Sequence, residues 1–137
     1  MWERLRTAMA VNWCAQRHED GRMGPGVPDV SFVLLPVNHH ETGWIELKQT
    51  DQKRKDRPIR HFTKAQEQWL LEQHRLGVPV FLLLYITSIA TWLWFHGEAI
   101  GQIQRSSQEE LSLIATHEGI LATQTYEYLA NRCYKNR

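Results

Sequence analysis

The period of the hydrophobic positions changes several times along the chain, and each change marks an element. Trp2, Leu5 and Met9 share one helical face while Glu3, Arg4 and Arg6 point away, which predicts a short amphipathic helix over residues 1–9. From Val11 the period drops to two, with Val11, Trp13 and Ala15 alternating with Asn12, Cys14 and Gln16. A strand fits that pattern, and continuation of the helix is the rival reading. Gly21, Gly24, Pro25, Gly26 and Pro28 then make residues 20–28 an irregular loop. Val30 to Leu35 is a β-branched and aromatic run, and Trp44 to Gln49 alternates strictly. Both are predicted strands, joined through residues 36–43 into an antiparallel pair.

Further on, Thr63-Lys64-Ala65-Gln66 has the form of a capping box, and Leu76-Gly77-Val78-Pro79 supplies a terminating glycine and proline. The helix between them is expected to bury Ala65, Trp69, Leu70 and Leu76. Val78 to Phe95 contains no charged residue, a length that by itself reaches the threshold for a membrane span. Pro79, Thr87, Ser88 and Thr91 interrupt it, and its β-branched and aromatic content predicts two buried strands instead, near 80–86 and 91–95. After Gly97 the pattern turns helical. Ser106 with Glu109, or Ser107 with Glu110, offers a capping-box start, and Gly119 a stop. A last helix is expected over residues 123–134, with Tyr126, Leu129, Ala130 and Cys133 on one side. The fold class that follows is α/β: a mixed central sheet of four or five strands flanked by helices.

The 137 residues fit one domain, long enough to bury about two-thirds of the surface its unfolded chain exposes. A net charge of +1 excludes wholesale coating by a polyanion, so any nucleic-acid contact must come from local clustering. Such a cluster exists between residues 48 and 64, where Lys48, Lys53, Arg54, Lys55, Arg57, Arg60 and Lys64 face only Asp51 and Asp56. Cys14 and Cys133 are far apart and outside any metal-ligand spacing, and the N-terminus lacks an apolar signal-peptide region. Reduced thiols in a cytoplasmic protein of a bacterium or a phage-infected host are the expectation.

Candidate chemistry concentrates where the two first strands meet. A period of two puts Trp44, Glu46 and Lys48 on one face of their strand and Ile45, Leu47 and Gln49 on the other. Asp29 opens the preceding strand after a Gly-x-Pro turn, so antiparallel pairing brings its carboxylate toward Glu46 and Lys48. Two adjacent carboxylates repel unless a cation lies between them, and a hard ion such as Mg²⁺ binds through one or two carboxylates while keeping several waters. With a lysine alongside, phosphodiester hydrolysis is the matching reaction. The plainer alternative is a surface hairpin carrying a cross-strand ion pair. His39-His40-Glu41 is set aside as a zinc site, because adjacent loop residues rarely converge on one tetrahedral ion.

Pro28-Asp29 followed by Glu46-Leu47-Lys48 resembles the PD-(D/E)xK, or restriction-endonuclease-like, superfamily of nucleases. More narrowly, the Gly-x-Pro-Asp turn, the Glu-x-Lys strand and the glutamine of the next helix, Gln66, look like small stand-alone VRR-NUC nucleases of phages and Holliday-junction-resolvase-type enzymes. A Val-Arg-Arg triplet, also part of the VRR-NUC pattern, does not occur here. The resemblance implies that Asp29 and Glu46 hold Mg²⁺ or Mn²⁺ together with the backbone carbonyl of Leu47, and that Lys48 serves the attacking water. It also draws attention to Glu19, and less to Glu3, as a further acid. Gln66 is left with two readings, helix cap or active-site residue. The implied function is a metal-dependent DNA endonuclease, with related enzymes resolving branched DNA as homodimers. Lys53, Arg54, Lys55, Arg57 and Arg60 are then expected to contact DNA. The alternative is a non-catalytic DNA-binding or assembly protein that keeps the nuclease fold.

Overall fold

The structure is a computed structural model and describes residues 1–9, 13–18, 26–34, 41–51, 56, 58, 61–115, 117–119 and 128–129. A helix, α1 (Trp2–Met9), precedes three strands, β1 (Trp13–Arg17), β2 (Val30–Leu34) and β3 (Glu41–Thr50). Helix α2 (Lys64–Arg75) leads to β4 (Val80–Ile86) and β5 (Thr91–His96), which are joined by a short 3₁₀ turn. Two short helices, α3 (Ile100–Ile103) and α4 (Gln108–Ile114), and a three-residue strand, β6 (His117–Gly119), complete the described elements. The expected five strands are therefore present, in the expected order, and β6 adds a short sixth.

Strand order in the sheet follows the chain, β1-β2-β3-β4-β5-β6. Every neighbouring pair is antiparallel except β3 and β4. A parallel pair cannot be joined by a tight turn, so the chain must cross over, and α2 makes that crossing. The alternation of side chains sorts the core onto two faces. Leu5, Met9, Trp13, Val30, Phe32, Leu34, Ile45, Phe81 and Leu83 pack on the face that α1 covers. Leu70 of α2, with Phe62, Val80, Leu82, Leu84, Leu93, Phe95, Ile100 and Leu111, fills the other. Strands β4 and β5 are buried on both sides, which is why their sequence carries no polar alternation. Among the described residues no helix is long and apolar enough to cross a membrane.

Helix α2 begins and ends where its sequence signals it. Thr63 and Gln66 form the complete capping box. Gly77 takes a left-handed φ of 84°, and the N–H groups of Gly77 and Val78 donate to the carbonyls of His74 and Gln73 in a Schellman motif. Its buried face differs from the expectation. Leu70 is fully buried and Trp69 partly so, but Ala65 is exposed and Leu76 is 65% exposed. Leu76 lies at the C-cap, past the end of the packed stripe, and only the Ala65 carbonyl is covered, by Gly26.

Helix α4 starts on the Ser107–Glu110 box, one of the two alternatives in the sequence, but ends at Ile114 rather than running to Gly119. Ala115 is extended, and residues 117–119 pair with β5, because an unpaired sheet edge rewards a strand there more than another helical turn does. Of the last expected helix, Tyr128 and Leu129 are helical and the rest lies outside the described residues. Leu129 is fully buried, and the Tyr128 ring packs against Phe81 and Trp94.

Phe81 is the hub of this face, with ring centroids of Phe32, Trp94, His96 and Tyr128 at 6.2, 6.3, 5.3 and 5.9 Å. Truncation leaves a cavity that surrounding strands cannot collapse to fill. Phe81→Ala is expected to cost about 3–5 kcal/mol in a urea unfolding experiment, and a loss under about 1 kcal/mol contradicts this packing account.

Candidate active site

Register brings the two carboxylates together. Val30 pairs with Ile45, so Asp29, one residue before β2, stands across from Glu46 on the same face of the sheet. Strand β3 continues to Thr50, beyond the start of β2, and its edge there has no β2 partner. Asp29 fills part of that gap: its Oδ2 accepts from the Leu47 N–H at 2.9 Å. N–H and C=O of one strand residue point to the same edge, so the Leu47 carbonyl lies on this open edge as well. The turn before Asp29 is held by Gly26, whose φ is +85°. A Cβ on Gly26 would lie 2.5 Å from the Ala65 carbonyl oxygen. Only glycine permits this approach, which presses the Asp29 turn against the first turn of α2.

Glu46 is 1% exposed, the most deeply buried acid among the described residues. Its Oε1 accepts from Gln66 Nε2 at 2.9 Å and pairs with Lys48 Nζ at 3.1 Å. Lys48 Nζ also donates to Gln66 Oε1 at 3.1 Å, closing a three-membered ring of contacts. Among the described residues, Glu46 Oε2 is buried without a hydrogen-bond partner. Burial, and then the charge on Asp29, push the Glu46 carboxyl up to about 7, with Lys48 offsetting only part of the rise. An orphaned carboxylate oxygen beside a second carboxylate is where a hard divalent cation is electrostatically favoured, and Asp29, Glu46 and the Leu47 carbonyl are the oxygen donors such an ion takes. The residues present therefore fit a divalent ion held by two carboxylates. Among the described residues there is no cluster of three or more acidic, histidine or cysteine side chains for a fully protein-enclosed metal.

Gln66 is the helix cap, and its side chain also reaches Lys48 and Glu46. Its Oε1 accepts from the Thr63 N–H at 3.0 Å, its own N–H donates to Thr63 Oγ1 at 3.1 Å, and the same side chain bridges Lys48 and Glu46. Above it, Trp69 meets Trp44 edge-on at 5.2 Å and so docks α2 on the β3 face. Glu3 is exposed and paired with Arg6 at 2.6 Å on α1. Glu19, the basic residues Lys53, Arg54, Lys55, Arg57 and Arg60, and His39 and His40 lie outside the described residues. Cys14 is a free, exposed thiol, and Cys133 is outside the described residues.

One neighbour was not singled out from the sequence. His61 is 8% exposed, close enough to Lys48 to feel its charge, and among the described residues its buried Nε2 has no hydrogen-bond partner. Burial first, and then Lys48, hold its ring down at about 4, so it is neutral at neutral pH. Its only sequence signal is its place between the basic run and the Thr63 cap, which tertiary contact alone makes meaningful.

Neither a family model nor a curated protein matches the sequence. Five chains of solved structures match the fold. One is Hjc of Archaeoglobus fulgidus, a Holliday junction resolvase from an archaeal hyperthermophile, solved at 1.6 Å resolution. It is 17% identical, with 83% of this chain and 89% of that chain covered and a TM-score of 0.54. The likeness is one of fold: an α/β arrangement with a mixed sheet flanked by helices.

The raised Glu46 carboxyl has a consequence for stability. The folded state holds this proton more tightly than the unfolded chain, so the stabilisation is complete below about pH 4.5 and is lost as pH rises through about 7. In metal-free protein, Glu46→Gln keeps the oxygen that Lys48 and Gln66 contact and removes the buried charge. The variant is expected to melt at higher temperature than the wild type at about pH 8, and the difference to shrink toward about pH 5. Equal melting temperatures at the higher pH contradict a buried, uncompensated carboxylate.

Proposed function

We propose that the chain is a metal-dependent DNA endonuclease that hydrolyses phosphodiester bonds, with branched DNA as its substrate class. The observation that carries this is the Glu46 carboxylate, with one oxygen clamped by Lys48 and Gln66 and the other left without a partner beside Asp29. A structural ion pair needs no orphaned oxygen, since every lone pair left unsatisfied in the interior costs stability. A divalent-ion site does need one. The resolvase-like fold supports the choice of branched DNA.

Within this reading, Asp29, Glu46 and the Leu47 carbonyl hold Mg²⁺ or Mn²⁺, with Glu19 as a further acid. The ion supplies Lewis-acid polarisation and charge neutralisation at the phosphoryl group. Lys48, 25% exposed at its side chain, is held by Gln66 and Glu46 with a donor left over for the attacking water or a phosphate oxygen. Gln66 fixes both the lysine and the acid, so neither has to reorganise when charge develops. Lys53, Arg54, Lys55, Arg57 and Arg60 grip the DNA backbone irrespective of sequence. Resolving a four-way junction takes two symmetric cuts, which a homodimer provides with one site per subunit.

Cleavage of linear duplex, flap and four-way junction in Mg²⁺ or Mn²⁺, each against EDTA, tests the proposal. Lys48→Ala is expected to retain DNA binding and lose roughly 10²-fold or more in cleavage rate, the range for deleting one charge-stabilising group. Wild-type rates in that variant sink the assignment of Lys48. Binding without cleavage of any substrate in any metal favours the non-catalytic DNA-binding or assembly alternative.

The basic run is tested by salt. Replacing Lys53, Arg54 and Lys55 together with serine is expected to flatten the slope of log K against log salt by up to about 3, since each duplex phosphate contact contributes about 0.9. All sequences should weaken alike. An unchanged slope returns the segment to an ordinary solvated loop.

A further inference from the structure

Beside the carboxylate site opens a pocket of about 530 Å³ lined by Lys48, His61, Phe62, Thr63, Lys64 and Gln66. It shares Lys48 and Gln66 with the site and extends from them to the first turn of α2. We infer that this pocket is a second phosphate subsite, seating the DNA backbone phosphate adjacent to the one attacked. The inference rests on the nuclease reading and adds to it a substrate contact assigned to His61, Lys64 and the start of α2.

Four observations converge on an anion. Among the described residues the lining contains two lysines and no carboxylate, a charge that suits an anion rather than a metal ion. His61, 8% exposed, lines the pocket, yet its Nε2 has no hydrogen-bond partner among the described residues. A neutral imidazole nitrogen carrying the proton donates to a phosphate oxygen without adding a further charge to a wall that already holds Lys48. The first turn of the twelve-residue α2 adds a backbone donor. Its capping box satisfies the N–H groups of Thr63 and Gln66, while that of Lys64, a lining residue, has no partner among the described residues. Free N–H groups at the positive end of a helix dipole favour phosphate.

The arrangement is also held in advance. Gln104, which follows α3, accepts on Oε1 from the N–H groups of His61 at 2.6 Å and Phe62 at 3.2 Å, and donates from Nε2 to the Phe62 carbonyl at 2.9 Å. One amide thus treats residues 61–62 as a strand edge. Phe62, 2% exposed, anchors the segment in the core. Gln104 is a positioning residue for this pocket. In the sequence the basic run ends at Arg60, directly before His61.

The test has two arms on the full-length chain. In the first, metal-free ¹⁵N-labelled protein is titrated with inorganic phosphate. Saturable shifts are expected at the Lys64 amide and the His61 ring, and they should be lost in the double variant His61→Phe, Lys64→Gln. Lys64 is exposed, so Lys64→Gln alone keeps the test valid if His61→Phe fails to fold, and it should weaken the response by about tenfold, the scale for losing one charged hydrogen bond. Absence of saturable shifts, or shifts undiminished in Lys64→Gln, overturns the subsite. In the second arm, one phosphate next to the cut is made a neutral methylphosphonate. Wild-type KM should rise by about tenfold with kcat kept, and Lys64→Gln, already higher in KM, should show little additional loss. Full additional loss in the variant overturns the assignment. Failure of the nuclease reading registers separately, as no cleavage in any metal. Phosphate shifts without any DNA binding overturn the assignment to a DNA backbone.

Discussion

Burying Glu46 against Asp29 is the constraint around which the rest of the molecule is arranged. A carboxylate that is almost wholly out of water, next to another, raises the free energy of the folded state in proportion to its charge. Lys48, Gln66 and the Asp29 backbone offset part of this, and among the described residues Oε2 has no hydrogen-bond partner. The backbone creates the situation. Because β3 outruns β2, Leu47 presents an unpaired edge for Asp29 to occupy, and because β3 and β4 are parallel, the crossover helix must come down on the Glu46 face. A flat antiparallel meander would satisfy the same hydrophobic pattern and leave the acids in water.

Stability and site share atoms. The Gln66 amide that caps α2 is the one that orients Lys48 and Glu46, and the Gln104 amide that holds residues 61–62 sets where that cap begins. Fraying of the first turn of α2 therefore loosens the lysine and the acid together. This economy places the polar network on the rigid part of the fold, between a fully buried Leu70 and the Trp44–Trp69 contact, where rotamers are already fixed by packing.

Much of this was legible in the sequence, for identifiable reasons. Period-two alternation placed Glu46 and Lys48 on one face, the Thr63–Gln66 box marked the start of α2, and the uncharged run gave β4 and β5. These signals are local and survive folding unchanged. Sequence misjudged Leu76 and the end of α4, because exposure at a helix terminus and pairing at a sheet edge depend on what lies nearby in space. The contacts of Gln66 beyond its cap could not be read from one dimension, since the Oε1 that caps α2 also accepts from Lys48, more than fifteen residues away in the chain. His61 and Gln104 carried no usable pattern at all: their roles come from contacts across more than forty residues of chain.

The central claim, that Asp29 and Glu46 form a divalent-ion site tuned by burial, is tested most directly by calorimetric titration of the metal-free protein with Mn²⁺ in buffers of differing ionisation enthalpy. An ion entering beside a carboxyl that titrates near neutrality must displace its proton. The account predicts saturable uptake accompanied by proton release that grows as pH falls from about 8 toward about 6, with both uptake and release abolished in Glu46→Gln. Uptake that is absent, or that survives unchanged in Glu46→Gln, contradicts it.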